Sequence, residues 1–265
     1  MNRFKPALPR GPQSAWLSMC MLMLAMFAPG CAQAAEVAKS SLMTLMQWSP
    51  FILQGFLLNL LMSAIAMVLA TIMGVFLGLA ALGVIPLLGR PARLLIQLLR
   101  NSPWIVVLFA ILFLIPFQVQ LPGGKIVPIP DWCKATIGLA LPVMANVAEI
   151  LRGAVLSINS GQWESAESLA FSKWQTYRHV ILPQCIKRML PSWMNWYALL
   201  TLSTPIASIL GVQEAVSNTQ AAMEAAGGRP ELLMPFYGFI LILFFCYIYP
   251  VSMLTRRLER RFVHK

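Results

Sequence analysis

Long uncharged runs alternate with short basic clusters along this chain. No charged residue lies between Lys39 and Arg90, and residues 51–82 are the densest apolar part of that run, enough for one long tilted membrane helix. No turn cluster divides it before Gly83. Asn101-Ser102-Pro103 opens a second apolar run over residues 104–119. Pro122-Gly123-Gly124 with Pro128 and Pro130 then marks an exposed loop. Further apolar runs cover residues 133–153, 191–212 and 232–255. The pattern predicts an all-α membrane protein with five spans. Between spans three and four it is interrupted by one polar stretch, "ESAESLAFSKWQTYRHVILPQ", residues 164–184.

That stretch is patterned as a helical hairpin. Residues 162–170 suit a helix, with Glu164 and Glu167 early, where carboxylates favour a helix N-terminus. Ser172 and Gln175 fit a capping box, so a second helix starts at Lys173, and Leu182-Pro183 marks a boundary after it. Leu169, Phe171, Trp174 and Val180 form an apolar knob. Two readings follow from the residues alone. The hairpin lies on the bilayer surface with Trp174 and Tyr177 as interfacial anchors, or it docks a cytoplasmic partner.

Ahead of the first span, Arg3, Lys5 and Arg10 precede an apolar run over residues 15–27, a Pro29-Gly30 break and a small-x-small site at Ala32-Gln33-Ala34. This is the three-part export-signal pattern, and residues 1–34 form a signal-like segment ahead of a transmembrane domain over residues 35–265. An uncleaved first transmembrane helix and a lipoprotein signal ending at Cys31 are the other readings.

Composition agrees with lipid as the solvent: 58% of the 265 residues are hydrophobic and 11% are charged. The net charge of +11 does not point to nucleic acid, because the cations are distributed by loop. Of the 20 Lys and Arg, all but Lys39, Lys125, Lys134 and Arg229 fall in the N-terminal region, the loops after spans one and three, or the C-terminal tail. That bias places those segments, the hairpin and the C-terminus in the cytoplasm. The five cysteines fit no metal or redox spacing.

Few chemistry-bearing residues lie at bilayer depth. Tyr197, Thr201, Thr204 and Ser208 recur on one helical face, and Pro205 frees the carbonyl of Thr201. They would line a solute path or serve as packing glue between helices. Glu149 and Arg152 stand at i, i+3 as a structural pair or a gate, and Asn146 and Asn59 are further candidates. No P-loop, HExxH or nucleophile elbow occurs, and His179 and His264 lack ligand-spaced partners, so no enzyme is expected.

The polar stretch resembles the EAA loop of the inner-membrane permease subunits of bacterial ABC importers: E-A-A, three residues, G, nine residues, I, x, L-P. Here Glu164-Ser165-Ala166, Ala170, Val180 and Leu182-Pro183 stand at those intervals. The likeness covers roughly residues 50–263. "LLRNSPWIVVLF" is similar to the R-G-T-P-x-x-x-Q-L segment of the polar amino-acid subfamily (histidine/glutamine type). "AEILRGAVLSINSGQWESAESL" and "PIASILGVQE" resemble two further segments of it. Departures are Ala170 for the turn glycine, Asn101-Ser102 for Gly-Thr, Val107 for Gln, and Leu202-Ser203 for a Lys-Asp pair.

The resemblance implies a multi-pass permease of the bacterial inner membrane, handling amino acids or related small polar solutes. ATPase subunits would dock on Glu164, Ala166, Leu169, Ala170, Phe171 and Trp174. ATP and Mg would be bound by that partner, with no cofactor in this chain. A periplasmic solute-binding protein, a second permease subunit (the same or homologous) and membrane lipid complete the expected partners. A path along Asn146, Glu149, Thr201, Thr204 and Ser208 is the corresponding site expectation. The competing reading, a self-sufficient secondary transporter or channel, requires several buried carboxylates for a coupling ion, and the sequence offers Glu149 alone.

Overall fold

The computed structural model describes the backbone of residues 13–85, 87–120 and 125–262, with side chains described from residue 39 to residue 260 within those limits. The export-signal reading of residues 1–34 lies outside the described side chains. The first helix, α1, is Gln13–Ala81. Its stretch Lys39–Ala81 is 43 residues long and apolar enough to cross a membrane. It buries Ile52, Phe56, Met62, Ala66 and Ala70 while exposing Leu53, Leu57, Leu61, Val68 and Ile72. A helix apolar on both its packed and its open face suits lipid, not water. The helix begins well before residue 51 and runs through Pro50. Pro50 has no N–H to offer the carbonyl four residues back, and Ser49 Oγ donates to that carbonyl, Met46 O, at 2.9 Å.

Gly83 ends α1 as the pattern predicts. Its φ of +73° lets its N–H reach Ala80 O (2.9 Å) while Val84 N–H reaches Leu79 O (3.1 Å). These two bonds make a Schellman cap that satisfies the last carbonyls.

In the second apolar run a helix, α3, Trp104–Leu114, starts at residue 104 and ends before residue 119; α2, Gly89–Asn101, precedes it, and the two are bent by 113°. Ser102 takes an extended conformation (φ −86°, ψ 137°) because Pro103 crowds the helical one, and that turns the chain. α3 has 11 residues. At about 1.5 Å per residue it is too short to cross about 30 Å of hydrocarbon alone. The chain after it pairs as a small hairpin, β1 (Gln118–Gln120) with antiparallel β2 (Ile126–Pro128), Val119 opposite Val127. The protein is therefore mostly, not wholly, helical.

The central helix is α4, Asp131–Leu156, which touches α1, α2 and α3. Small residues let it approach α1 closely: a Cβ added at Gly74 would stand 2.7 Å from Met144 O, and one at Gly78 3.0 Å from Ala148 O. This Gly-x-x-x-Gly seam replaces the hydrophobic effect, which lipid does not supply, with van der Waals contact.

After the hairpin come α7 (Leu182–Ser203), a 3-10 stretch Thr204–Leu210, α8 (Ala215–Ala225) and α9 (Leu233–Phe262). The helix that holds the fourth apolar run starts before residue 191, and α8 follows it at a 51° bend. The fifth helix also continues past residue 255, so Arg256, Arg257 and Arg260 extend the helix instead of forming a tail. Among the described residues, three helical stretches are long and apolar enough to cross a membrane, or five if each bent pair forms one crossing.

Candidate functional site

The polar stretch folds as a hairpin whose every turn has a local cause. α5, Ser160–Ser168, starts at Asn159, whose Oδ1 accepts from Gly161 N–H at 2.9 Å. Ala170 ends it at φ +54°. Ala170 N–H reaches Glu167 O (2.8 Å) and Phe171 N–H reaches Ala166 O (3.1 Å), a second Schellman cap. The turn thus uses the left-handed conformation that glycine adopts freely, with alanine in it, at a cost of about 1 kcal/mol. The Ser172–Gln175 capping box is present, and α6, Lys173–Gln175, starts where predicted.

Leu182-Pro183 is not a boundary. A π-turn, Thr176–Ile181, leads straight into α7, with Leu182 N–H bonded to Tyr177 O five residues back. The widened turn makes room for the Pro183 ring, so hairpin and span are one continuous helical rod.

The hairpin has a buried base and an apolar tip. Ile181, Cys185 and Tyr177 pack with Leu79, Leu151 and Val155. Tyr177 is therefore no interfacial anchor; it stacks edge-on against Trp163 at 5.3 Å. Val180 is half-buried there too and does not belong to the knob. Ala166 is buried under the turn, whereas Glu164 and Ala170 are exposed. Leu169, Trp174 and Phe171 are 68%, 51% and 37% exposed. Three cross-links hold this tip in place: Lys173 Nζ to Gly83 O (2.7 Å), Gln184 Nε2 to Gln162 Oε1 (2.9 Å), and Arg188 to Ser157 Oγ (2.8 Å).

The intramembrane residues divide. Thr201 and Thr204 are fully buried, and their hydroxyls donate locally. Thr204 Oγ1 donates to Thr201 O (2.8 Å), the carbonyl that Pro205 deprives of its N–H donor. That carbonyl is not free to line a path; the Ser49–Pro50 arrangement recurs here. Thr201 Oγ1 donates to Tyr197 O (2.9 Å), and the Tyr197 hydroxyl pairs with that of Tyr247. Ser208 and Asn146 are half-buried, bonded to Pro205 O (2.7 Å) and Pro142 O (2.8 Å). Glu149 takes both oxygens to Arg152 Nε at 3.1 Å, with Arg100 at 3.8 Å. The expected i, i+3 pair is thus the core of a three-residue ion cluster.

The pattern missed Glu214 as a buried carboxylate. It is fully enclosed and caps α8: Oε1 accepts from Val216 and Ser217 N–H, both at 2.9 Å, and Oε2 accepts from Asn59 Nδ2 at 2.9 Å. Asn59 also donates to Thr204 Oγ1 and accepts from Ala215 N–H, each at 2.9 Å. Acceptor oxygens at the N-terminal end of a helix are favourable, and both oxygens of Glu214 are used. Glutamate is not among the usual capping residues, which is why the pattern hid it. Its traces were a single acid in an otherwise uncharged stretch between Arg188 and Glu224 and its place at the end of "PIASILGVQE".

The family described as "Binding-protein-dependent transport system inner membrane component" matches residues 70–264. A probable amino-acid ABC transporter permease protein, YckA of Bacillus subtilis (strain 168), is 31% identical over 215 residues, 81% of this chain and 90% of that protein. The glutamine transport system permease protein GlnP of Escherichia coli (strain K12) is 28% identical, covering 80% and 93%. A crystal structure of an amino acid ABC transporter with histidines superposes with a TM-score of 0.66 at 23% identity, covering 81% of this chain and 97% of that one, and so shows the fold. The chain belongs to the family of binding-protein-dependent transport system inner membrane components, on its amino-acid ABC permease branch: a multi-pass inner-membrane permease subunit whose ATPase is a separate protein.

Proposed function

We propose that this chain is half of a transmembrane pore for an amino acid or a related small polar solute, driven by ATPase subunits that seat on the hairpin over residues 160–183. The observation that carries the docking role is the exposed apolar tip, Leu169, Phe171 and Trp174, on a rigidly capped turn with a buried base. A protein exposes such a tip at a cost unless a partner covers it. Glu164 and the Ala170 turn border the tip, and Ala166 sets its floor. Because π-turn and α7 are continuous, a push on the tip is carried into the membrane without a flexible joint.

The solute class rests on the relatives, whose names specify amino acids and glutamine. Five crossings, counting each bent pair as one, suit a cytoplasmic hairpin and C-terminus, which the bias of the cations toward those segments supports. Residues 1–34 would then serve as the export segment, which the mass of the purified mature chain checks. A second permease subunit completes the pore, and a solute-binding protein delivers solute from outside. ATP and Mg belong to the ATPase partner. Of the path residues, Ser208, Asn146 and Glu149 remain the accessible set, while Thr201 and Thr204 brace the fold.

The test is affinity purification of the tagged chain in mild detergent, with the ATPase subunit scored by mass spectrometry and by activity. Leu169→Asp is expected to abolish co-purification while the chain remains folded and membrane-inserted. Undiminished co-purification by Leu169→Asp, Trp174→Asp and Glu164→Arg would sink the docking role.

A further inference from the structure

Beside the hairpin, the ends of α1, α2 and α4 enclose a cavity of about 480 Å³. Arg93 and Arg100 reach it from α2, Glu149 and Arg152 from α4, and Ile96 and Leu156 supply apolar wall. Three guanidinium groups face one carboxylate. Glu149 is already engaged by Arg152 at 3.1 Å and Arg100 at 3.8 Å, so the cavity holds an excess of two positive charges. Arg93 spends Nε on Gly89 O (3.1 Å) and forms no ion pair among the described residues. At the rim, Gly83 O receives Lys173 Nζ from the hairpin, adding a fourth cation.

We infer that this cavity binds a phosphate group, that of an anionic phospholipid in the cytoplasmic leaflet. Guanidinium forks match phosphate oxygens in paired hydrogen bonds, and they sit here at the end of the bundle where the basic loops meet the anionic membrane surface. The wall is half apolar, which suits a headgroup that continues into acyl chains. A zwitterionic solute has no net charge to match the excess of cations, whereas a phosphate has. The inference goes beyond the docking role, and its readout is bound lipid, which does not depend on whether the ATPase seats on Leu169.

The experiment uses the intact transporter complex in vesicles of phosphatidylcholine with a minor share of phosphatidylglycerol, solubilised in neutral detergent, with retained lipid counted by mass spectrometry. The wild type is expected to retain phosphatidylglycerol over phosphatidylcholine. Arg93→Gln and Arg100→Gln should each cut that retention about fivefold. Glu149→Gln should hold or raise it. Arg93 is exposed, so Arg93→Gln keeps the test readable if Arg100→Gln, which loses a contact to Glu149, fails to fold. Inorganic phosphate distinguishes the source. Retention that resists it assigns a lipid headgroup. Displacement by it, with no preference between the two lipids, keeps the phosphate site and assigns it to a free phosphate compound. Equal phosphatidylglycerol retention by wild type and Arg93→Gln, with no phosphate binding, overturns the site.

Discussion

Lys173 Nζ donates to the main-chain carbonyl of Gly83 at 2.7 Å, joining two residues 90 positions apart. The donor is the first residue of α6 and the acceptor is the glycine that caps α1. The tip that we propose as the ATPase seat is thereby tied to the first span as well as to the fourth. Lys173→Met removes the tie and leaves Leu169, Phe171 and Trp174 in place. The expected result is normal co-purification of the ATPase with fewer solute molecules moved per ATP hydrolysed, measured together in proteoliposomes. Unchanged stoichiometry would show that the tie carries no force.

Ala170 at φ +54° predicts a gain from glycine. Ala170→Gly should stabilise the hairpin turn by about 1 kcal/mol, since glycine carries no Cβ into the left-handed region. Ala170→Val should destabilise by more than that. Thermal unfolding of the purified chain in detergent reads both signs, and protease resistance of the hairpin localises them.

Glu214 is predicted to be structural in the folded protomer. Glu214→Ala leaves two α8 N–H groups and the Asn59 amide without their acceptor in a buried site, at about 1–3 kcal/mol for each orphaned group. Glu214→Gln keeps an acceptor oxygen and should cost less. Thermal unfolding midpoints falling in the order wild type, Glu214→Gln, Glu214→Ala would bear this out; equal midpoints would refute it.

The α1–α4 seam predicts a sharp contrast between glycines. Gly74→Leu drives a side chain into Met144 O and Val147, whereas nothing lies within 4 Å of a Cβ added at Gly153. Gly74→Leu should abolish stable insertion, and Gly153→Leu should express normally, by quantitative membrane blotting.

Local chemistry explains what was readable in the residues alone. The Ser172–Gln175 cap, the Gly83 stop and the α4 helix each depend on neighbours within a few positions, and each appears in the structure. The apolar runs likewise announced a bilayer protein, because a lipid-facing surface must be apolar whatever packs behind it. The EAA spacing pointed to the family for a related reason: it records the intervals of one capped hairpin.

Other features depended on residues far apart in the chain. Pro103 read as the start of a span and proved to be the corner between α2 and α3; Pro183 read as a stop and is absorbed by a π-turn. A proline says that a donor is missing, and the surrounding structure determines whether the helix bends, widens or borrows a hydroxyl, as it does from Ser49 and Thr204. Tyr177 is amphipathic in any window of sequence, yet it is buried because α1 and α4 close over it. Glu214 and Asn59 lie 155 positions apart and satisfy one another only once α8 folds back against α1. The residues by themselves specified a membrane protein with a capped polar hairpin, and their likeness to a family specified a permease. Long-range packing assigned each polar group its partner, because a buried charge or hydroxyl is tolerated only where the folded chain completes its hydrogen bonds.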